Sequence, residues 1–469
     1  MRKLMIAAIA ALAPVVALAA ELKEAAEPID PPMTEILPLR ARAEIEDAWL
    51  AERLDTVVPQ IMREADADMW IMIAREYNED PVVKTMLPAT WLNARRRTIL
   101  ILFDRGPEAG VERLAVSRYP IAARGDAQVT ELFPAAWDPE AEPDQWKRVA
   151  EIVAERDPKK IVVNVDSVEA LGDGMTKSQY DGLIEALPRK YRGRIDETGF
   201  LATRWLETRI PAEMDRYPEL VRIAHSIIGE AMSGKVITPG ETTTQDVVWW
   251  MRQRVRDLGL ATWFHTSVTI QRQEEGPLKK ESEVQAEARA NDQVIRQGDF
   301  LHVDFGITYL GLNTDTQHHA YVLKPGETDA PQGLKDGLAA ANAVQEHLID
   351  AFKTGRTSNE ILAIARAASI ADGLRPSIYS HQIGFHGHAA GSPIGWWDDQ
   401  SDDHPQGTHP LYPHTAWSIE LNATRAVPEW GGQDIVFKTE EDAYFDGETV
   451  EFLDGRQKAL HLIPRPGRQ

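Results

Sequence analysis

Cysteine is absent from all 469 residues. That excludes disulfides, a thiolate nucleophile, Cys-ligated zinc and a lipid-modified cysteine, so the fold must hold by burial alone. Internal repeats and low-complexity tracts are missing as well. Positive charge is scarce: 51 Lys and Arg stand against 73 Asp and Glu, a formal charge of −22. A polyanionic partner is repelled over most of such a surface, which argues against nucleic acid as a ligand. The acid excess reads most simply as solubility, with only a few carboxylates left over for binding cations. What is present is ordinary for a folded enzyme, with 43% hydrophobic and 26% charged residues. The length exceeds one ordinary core, so two domains are expected.

Residues 1–20, MRKLMIAAIAALAPVVALAA, join Arg2 and Lys3 to an apolar stretch ending Ala17-Leu18-Ala19. This is the layout of a secretory signal peptide, with cleavage expected near Ala19 or Ala20. The mature chain is then periplasmic or secreted, with no membrane attachment after cleavage, and losing two cations takes the charge from −22 to −24. An uncleaved anchor is the competing reading, disfavoured by a short, Ala-rich apolar core that contains Pro14.

Residues 40–66 place Ile45, Trp49, Leu50, Leu54, Val57, Val58 and Ile61 at helical spacing, and a short strand follows over Met69 to Ile73. Further strands read at 98–103, 111–117 and 161–165, with helices near 145–156 and 177–187. The expected α/β domain covers residues 30–205. From 206 to 469 the pattern changes to α+β. It opens on a long amphipathic helix through Leu220, Ile223, Ala224, Ile227 and Ala231, then a Pro239-Gly240 turn, then a Thr242-x-x-Gln245 capping signal for a second helix. Strands read at 300–306, 318–323, 415–421, 434–439 and 448–453, and helices at 333–352 and 358–371.

The chemistry concentrates in this second half. Asp304 ends an apolar strand and Asp315 follows eleven residues later across Gly306, Tyr309 and Gly311, a spacing that suits a hairpin returning both carboxylates to one place. Taken alone, Asp beside Gly is also a common turn. His381 and His388 flank the Gly-rich stretch SHQIGFHGHAAGSP, for which solvated loop histidines are the competing reading. Glu420 interrupts the apolar run AWSIELN, and Glu440 stands at a strand end. A carboxylate within a β run is costly to bury unless it is paired or binds a metal. Four carboxylates and one imidazole form a hard, oxygen-rich set suited to two close divalent cations such as Mn²⁺, Co²⁺, Fe²⁺ or Zn²⁺. Two such ions about 3.5 to 4 Å apart lower the pKa of a shared water, so hydrolysis is the expected chemistry.

The order Asp, Asp, His, Glu, Glu at these spacings resembles the pita-bread metallopeptidases, the family of methionine aminopeptidase, Xaa-Pro aminopeptidase and prolidase. The likeness covers about residues 205–455, and the first half resembles the domain that precedes the catalytic one in creatinase, prolidase and Xaa-Pro aminopeptidase. The resemblance implies a dinuclear centre in which Asp315 and Glu440 bridge, Asp304 binds one metal, and His381 with Glu420 binds the other. Glu420 would also shuttle a proton, and His388 would steady charge on the substrate carbonyl while a metal-bridging hydroxide attacks it. Lys438 matches a basic residue often found near the last glutamate; Glu440 and Glu441 both fit that glutamate, and the spacing to Lys438 favours Glu440. A peptide substrate, with proline in second position, and a homodimer, since relatives are often dimers, are further implications.

The sequence also departs from the family. Peptide-cleaving relatives usually carry a histidine about 17 residues before the first Asp, where Glu287 stands here. His265, His302 and His318 are the candidates to replace it, although a partly buried strand histidine is the simpler reading of His302. The usual Thr-Arg pair after the second Asp is Gln317-His318, the Pro-Gly after the first Glu is Leu421-Asn422, and the Glu after the second histidine is Ala389. Trp396, Trp397, Trp417 and Trp430 read equally as packing or as walls of an apolar substrate pocket, Trp249 and Trp250 as core, and the Asp398-Asp399 and Asp402-Asp403 run as a solvated loop. A metal-dependent non-peptidase hydrolase or lyase on the same scaffold is the alternative function, and a non-catalytic peptide-binding protein the second.

Overall fold

The computed structural model describes residues 33–124, 129–274 and 292–464. The candidate signal peptide and Glu287 lie outside the described residues.

The first half is built on a five-stranded mixed sheet, in the order Val111–Ala115, Arg97–Asp104, Met69–Arg75, Ile161–Val163, Ile195–Glu197. Met69–Arg75 lies at its centre, antiparallel to Arg97–Asp104 and parallel to Ile161–Val163. Its run MWIMIA is apolar without alternation because both faces are covered. Trp70, Met72 and Ala74 pack with Leu54, Val58 and Ile61 of the helix Leu39–Glu64. Met69, Ile71 and Ile73 meet Val149, Ile152 and Leu183 from the helices Gln145–Arg156 and Lys177–Ala186. The helix Phe200–Glu207, buried at every residue but the first, follows. The expected boundary at 205/206 therefore falls inside a buried element, and one apolar cluster runs from Trp49 and Leu54 through Leu220 and Val221 to Phe305.

In the second half the helix Tyr217–Ala231 packs on a four-stranded sheet ordered His461–Ile463, Thr316–Val322, Phe300–Phe305, Ser267–Gln271. The next helix, Thr244–Asp257, starts one residue later than its sequence signal. Thr243 and Asp246 form the reciprocal capping box, while the Thr242 hydroxyl instead accepts from Thr238 N at 2.9 Å and closes the Pro239-Gly240 turn. Trp250 packs partly against the core, but Trp249 is 60% exposed, contrary to its expected burial.

The expected strand 415–421 is broken in two. Thr415–Ser418 pairs with Asp442–Phe445, whereas Leu421–Val427 pairs with Gln433–Thr439 in a different sheet. Both chain segments change sheets at the same level, so residues 419–420 and 440–441 face one another between Ser418↔Asp442 and Leu421↔Thr439. The helix Gln332–Asp350 covers Leu421–Val427 and Gln433–Thr439, and Ser358–Ala371 lies beside it. Among the described residues no helix is long and apolar enough to cross a membrane.

Candidate metal centre

Asp304 and Asp315 are brought together by the hairpin their spacing suggested. Phe300–Phe305 pairs with Thr316–Val322 in the register Phe305↔Thr316 and Asp304↔Gln317. The chain turns through the small inner hairpin Thr308–Tyr309 and Leu312–Asn313, with Leu310 and Gly311 both at positive φ. Glycine at Gly311 avoids the Cβ strain of that left-handed conformation.

Glu420 and Glu440 occupy the two sheet-changing points. Ser380 holds Glu420 at both ends of its backbone: the hydroxyl donates to Glu420 O at 2.8 Å and accepts from Glu420 N at 3.0 Å. Glu440 forms an isolated antiparallel bridge with Gln317. His381 comes from the short strand His381–Gln382, paired with Trp417 and Ser418.

These five side chains converge. One ligand atom from each of Asp304, Asp315 and Glu440 lies within 4.8 Å of the others, and the same holds for His381, Glu420 and Glu440. His381 Nε2 stands 3.6 Å from Glu440 Oε1, 3.7 Å from Asp315 Oδ2 and 3.9 Å from Glu420 Oε2. Glu440 is thus common to both triads, and Asp315 borders both. His388, exposed to solvent, forms a further triad with Asp315 and His381, and its ring centroid is 4.7 Å from that of His381.

His381 Nδ1 meets Gln382 O at 3.0 Å, where only an N–H can face a carbonyl oxygen, so Nε2 is the ring nitrogen turned toward three carboxylates. Asp315 Oδ1 and His381 Nε2 are buried with no hydrogen-bond partner. Burial, then the charge of Glu440, pushes the carboxyls of Asp304, Asp315 and Glu420 well above their usual range. Carboxylates gathered this closely repel unless protons or cations stand between them. The donor set, oxygen-rich with one imidazole, fits divalent metal ions.

Several residues that sequence reasoning missed hold this cluster in shape. The Gln317 Nε2 amide donates to Glu420 Oε1 and to Glu440 Oε2, both at 2.6 Å. Its Oε1 accepts from His302 Nε2 at 2.7 Å. The Ser418 hydroxyl donates to Glu440 Oε1. Asp442 accepts from Asp315 N at 3.1 and 3.2 Å. In the sequence Gln317 is only a departure from a pattern; its cross-strand bridge to Glu440, invisible there, gives it this task.

The three candidate replacement histidines go elsewhere. His302 reaches the centre only through Gln317. His318 contacts Glu441 at 3.0 Å, and His265 contacts Arg252 and the exposed Trp249. Glu441 points away from the five-residue cluster, toward His225 and His318, which leaves Glu440 in the centre. Trp417 and Trp430 are core residues, and Trp396 stacks on His404, so none of these three walls the centre. Trp397 instead stands 5.6 Å from Tyr379, which neighbours both His381 and His388, and Trp263 lies 5.2 Å from His388.

A family model described as metallopeptidase family M24 matches residues 219–439. No curated protein sequence matches the chain. Among solved structures, the fold is similar to that of an X-Pro aminopeptidase from Thermotoga maritima, with a TM-score of 0.59 and 17% identity over 86% of this chain and 99% of that one. It is also similar to an Xaa-Pro dipeptidase from Bacillus anthracis, with a TM-score of 0.56 and 18% identity over 88% and 99%. A dipeptidase from Mycobacterium ulcerans gives 0.55 and 17% over 89% and 99%. The full-length coverage bears out an α+β pita-bread half preceded by a smaller α/β half.

Proposed function

Because its second half belongs to metallopeptidase family M24, we propose that this chain is a dinuclear-metal peptidase that removes the first residue from peptides with proline in second position. The observation that carries the reading is the close meeting of four carboxylates and His381 Nε2, with Asp315 Oδ1 and His381 Nε2 left without hydrogen-bond partners. Asp304, Asp315 and Glu440 would hold one divalent ion and His381, Glu420, Asp315 and Glu440 the other. Two ions so held polarise a peptide carbonyl and make water nucleophilic near neutral pH.

The protein's own groups divide the remaining work. Gln317 fixes Glu420 Oε1, leaving Oε2 as the oxygen that takes a proton and passes it to the leaving nitrogen. The exposed His388 ring, steadied edge-on by His381 and Trp263, offers an N–H to the developing oxyanion. Tyr379, Trp263 and Trp397 supply aromatic surface beside His388 on which a proline ring packs. The choice of an Xaa-Pro bond also draws on the X-Pro aminopeptidase and Xaa-Pro dipeptidase of like fold. The N-terminal sequence supports export to the periplasm or beyond.

The test is turnover of Xaa-Pro peptides, two and more residues long, against Xaa-Ala controls, with protein reconstituted separately with Mn²⁺, Co²⁺ and Zn²⁺. Metal-dependent release of the first residue, abolished in Asp315→Ala, is expected. Glu420→Gln should keep metal and lose on the order of 10²- to 10⁴-fold in turnover. Metal bound with every peptide left intact would refute the peptidase reading and direct attention to small-molecule hydrolase or lyase substrates.

A further inference from the structure

We propose that His225, His318 and Glu441 form a separate zinc site on the sheet face opposite the five-residue centre. The separation follows from strand geometry. Gln317 and Glu440 are bridged partners whose side chains meet on one face; their successors His318 and Glu441 point to the other, because consecutive residues of an extended chain alternate. There the helix Tyr217–Ala231 supplies His225.

The three ligand atoms are already gathered. His225 Nε2 is 3.0 Å from Glu441 Oε2 and His318 Nε2 is 3.0 Å from Glu441 Oε1, all within 4.8 Å of one another and buried. Ligands at about 2.0 Å from a tetrahedral zinc ion are separated by about 3.3 Å, so small shifts admit the ion. Each imidazole is also held at its far nitrogen, as zinc-binding histidines usually are. His225 Nδ1 meets Asp454 Oδ2 at 2.9 Å, and His318 Nδ1 meets His461 Nε2 at 3.2 Å. Two nitrogens and a carboxylate are a borderline-soft set of the kind zinc prefers, unlike the oxygen-rich centre across the sheet. Charge is compatible: Glu441 and Asp454 carry two negative charges, of which Arg222 answers one through Asp454 Oδ1 at 2.6 Å.

The ion would join the helix Tyr217–Ala231, the strand after Asp315 and the segment bearing Glu440. The competing occupant is a proton on His225, which would leave the same side chains joined as an ion pair. Ion counting separates the two.

Full-length protein from zinc-supplemented culture, desalted and analysed by plasma mass spectrometry, should retain one zinc equivalent in Asp315→Asn/Glu440→Gln, which removes a ligand from both triads of the other centre. Adding His225→Gln or His318→Gln should remove it while circular dichroism still reports a folded chain. A folded double variant without zinc, or zinc that survives both histidine changes, overturns the site. Should the histidine variants not fold, zinc-edge X-ray absorption of the double variant decides: two imidazole ligands at about 2.0 to 2.1 Å support the site, and an oxygen-only shell refutes it. If the wild type holds one equivalent and the double variant keeps it, the dinuclear reading fails and this site stands.

Discussion

The amide of Gln317 makes three hydrogen bonds, two donated to Glu420 and Glu440 and one accepted from His302. A primary amide has only two donor hydrogens on its nitrogen, so both are spent on orienting carboxylates, and His302 fixes which way the amide faces. Replacing Gln317 with Leu should weaken divalent-metal affinity by about 10- to 100-fold, the usual effect of removing a group that orients metal ligands. Isothermal titration with Mn²⁺ or Co²⁺ measures it, and affinity within twofold of wild type would contradict the role. His319, on the same strand, is a purely structural histidine. Its Nδ1 donates to Leu301 O at 3.0 Å, its Nε2 accepts from Lys438 N at 2.9 Å, and Phe300 stacks on its ring. Burial, followed by the opposing charge of Lys438, depresses it to about 3. A folded pKa below the unfolded value of about 6.5 means that the unfolded chain takes up the proton first. Stability from this residue is therefore intact above pH 6.5 and falls by up to about 1.4 kcal/mol per pH unit down to pH 3. Urea unfolding of the wild type from pH 7 to 4.5 should show the decline, and a flat profile would remove this contribution.

At the element scale, the helix Gln332–Asp350 is pressed closely against a strand. A Cβ built on Gly337 would lie 2.0 Å from the Phe437 ring, so helix and strand touch where glycine alone fits. Phe437 belongs to Gln433–Thr439, the strand that leads directly into Glu440. Gly337→Ala should therefore cost about 1 to 3 kcal/mol, as overpacking does, and also disturb metal binding by displacing the Glu440 end of the strand. Chemical denaturation together with the metal titration tests both, and an unchanged pair of values would show that the strand does not register the helix. At the helix Thr244–Asp257, loss of the Thr243 cap in Thr243→Ala should cost about 1 kcal/mol with no effect on metal binding, an element-level control.

Across the whole molecule, the two halves are joined by buried charge as well as by a continuous apolar core. Arg53, from the first helix, reaches Glu213 at 3.1 Å and Thr208 O at 2.6 Å, and donates also to Trp205 O. Its side chain is 1% exposed and that of Glu213 is fully buried. Such a pair adds little net stability when intact, but removing Arg53 leaves the buried Glu213 to the more distant Arg209, 3.5 Å away, in a medium that solvates charge poorly. Arg53→Met should cost about 3 to 5 kcal/mol, and Arg53→Met/Glu213→Gln distinctly less than the sum of the single changes, since the two share one interaction. Additive losses in thermal or urea unfolding would show that the charges are not coupled.

The sequence alone determined the elements with strong periodicity, because the spacing of apolar side chains is a local property: the helix beginning near residue 40, the helices 145–156 and 358–371, and the Asp304–Asp315 hairpin all stand within a residue or two of their expected places. It also exposed the five convergent side chains, since ionisable residues inside apolar runs are costly without a purpose. What it left open depends on contacts between distant segments. The strand through Glu420 reads as continuous, yet pairing with Asp442–Phe445 and Gln433–Thr439 splits it and turns its carboxylate inward. Gln317 takes its role from the bridge to Glu440, 123 residues away, and Glu440 is set apart from Glu441 by the alternation of side chains at that bridge. Tertiary structure decided these points because neither strand pairing nor the facing of a side chain is encoded within a few residues of the position concerned.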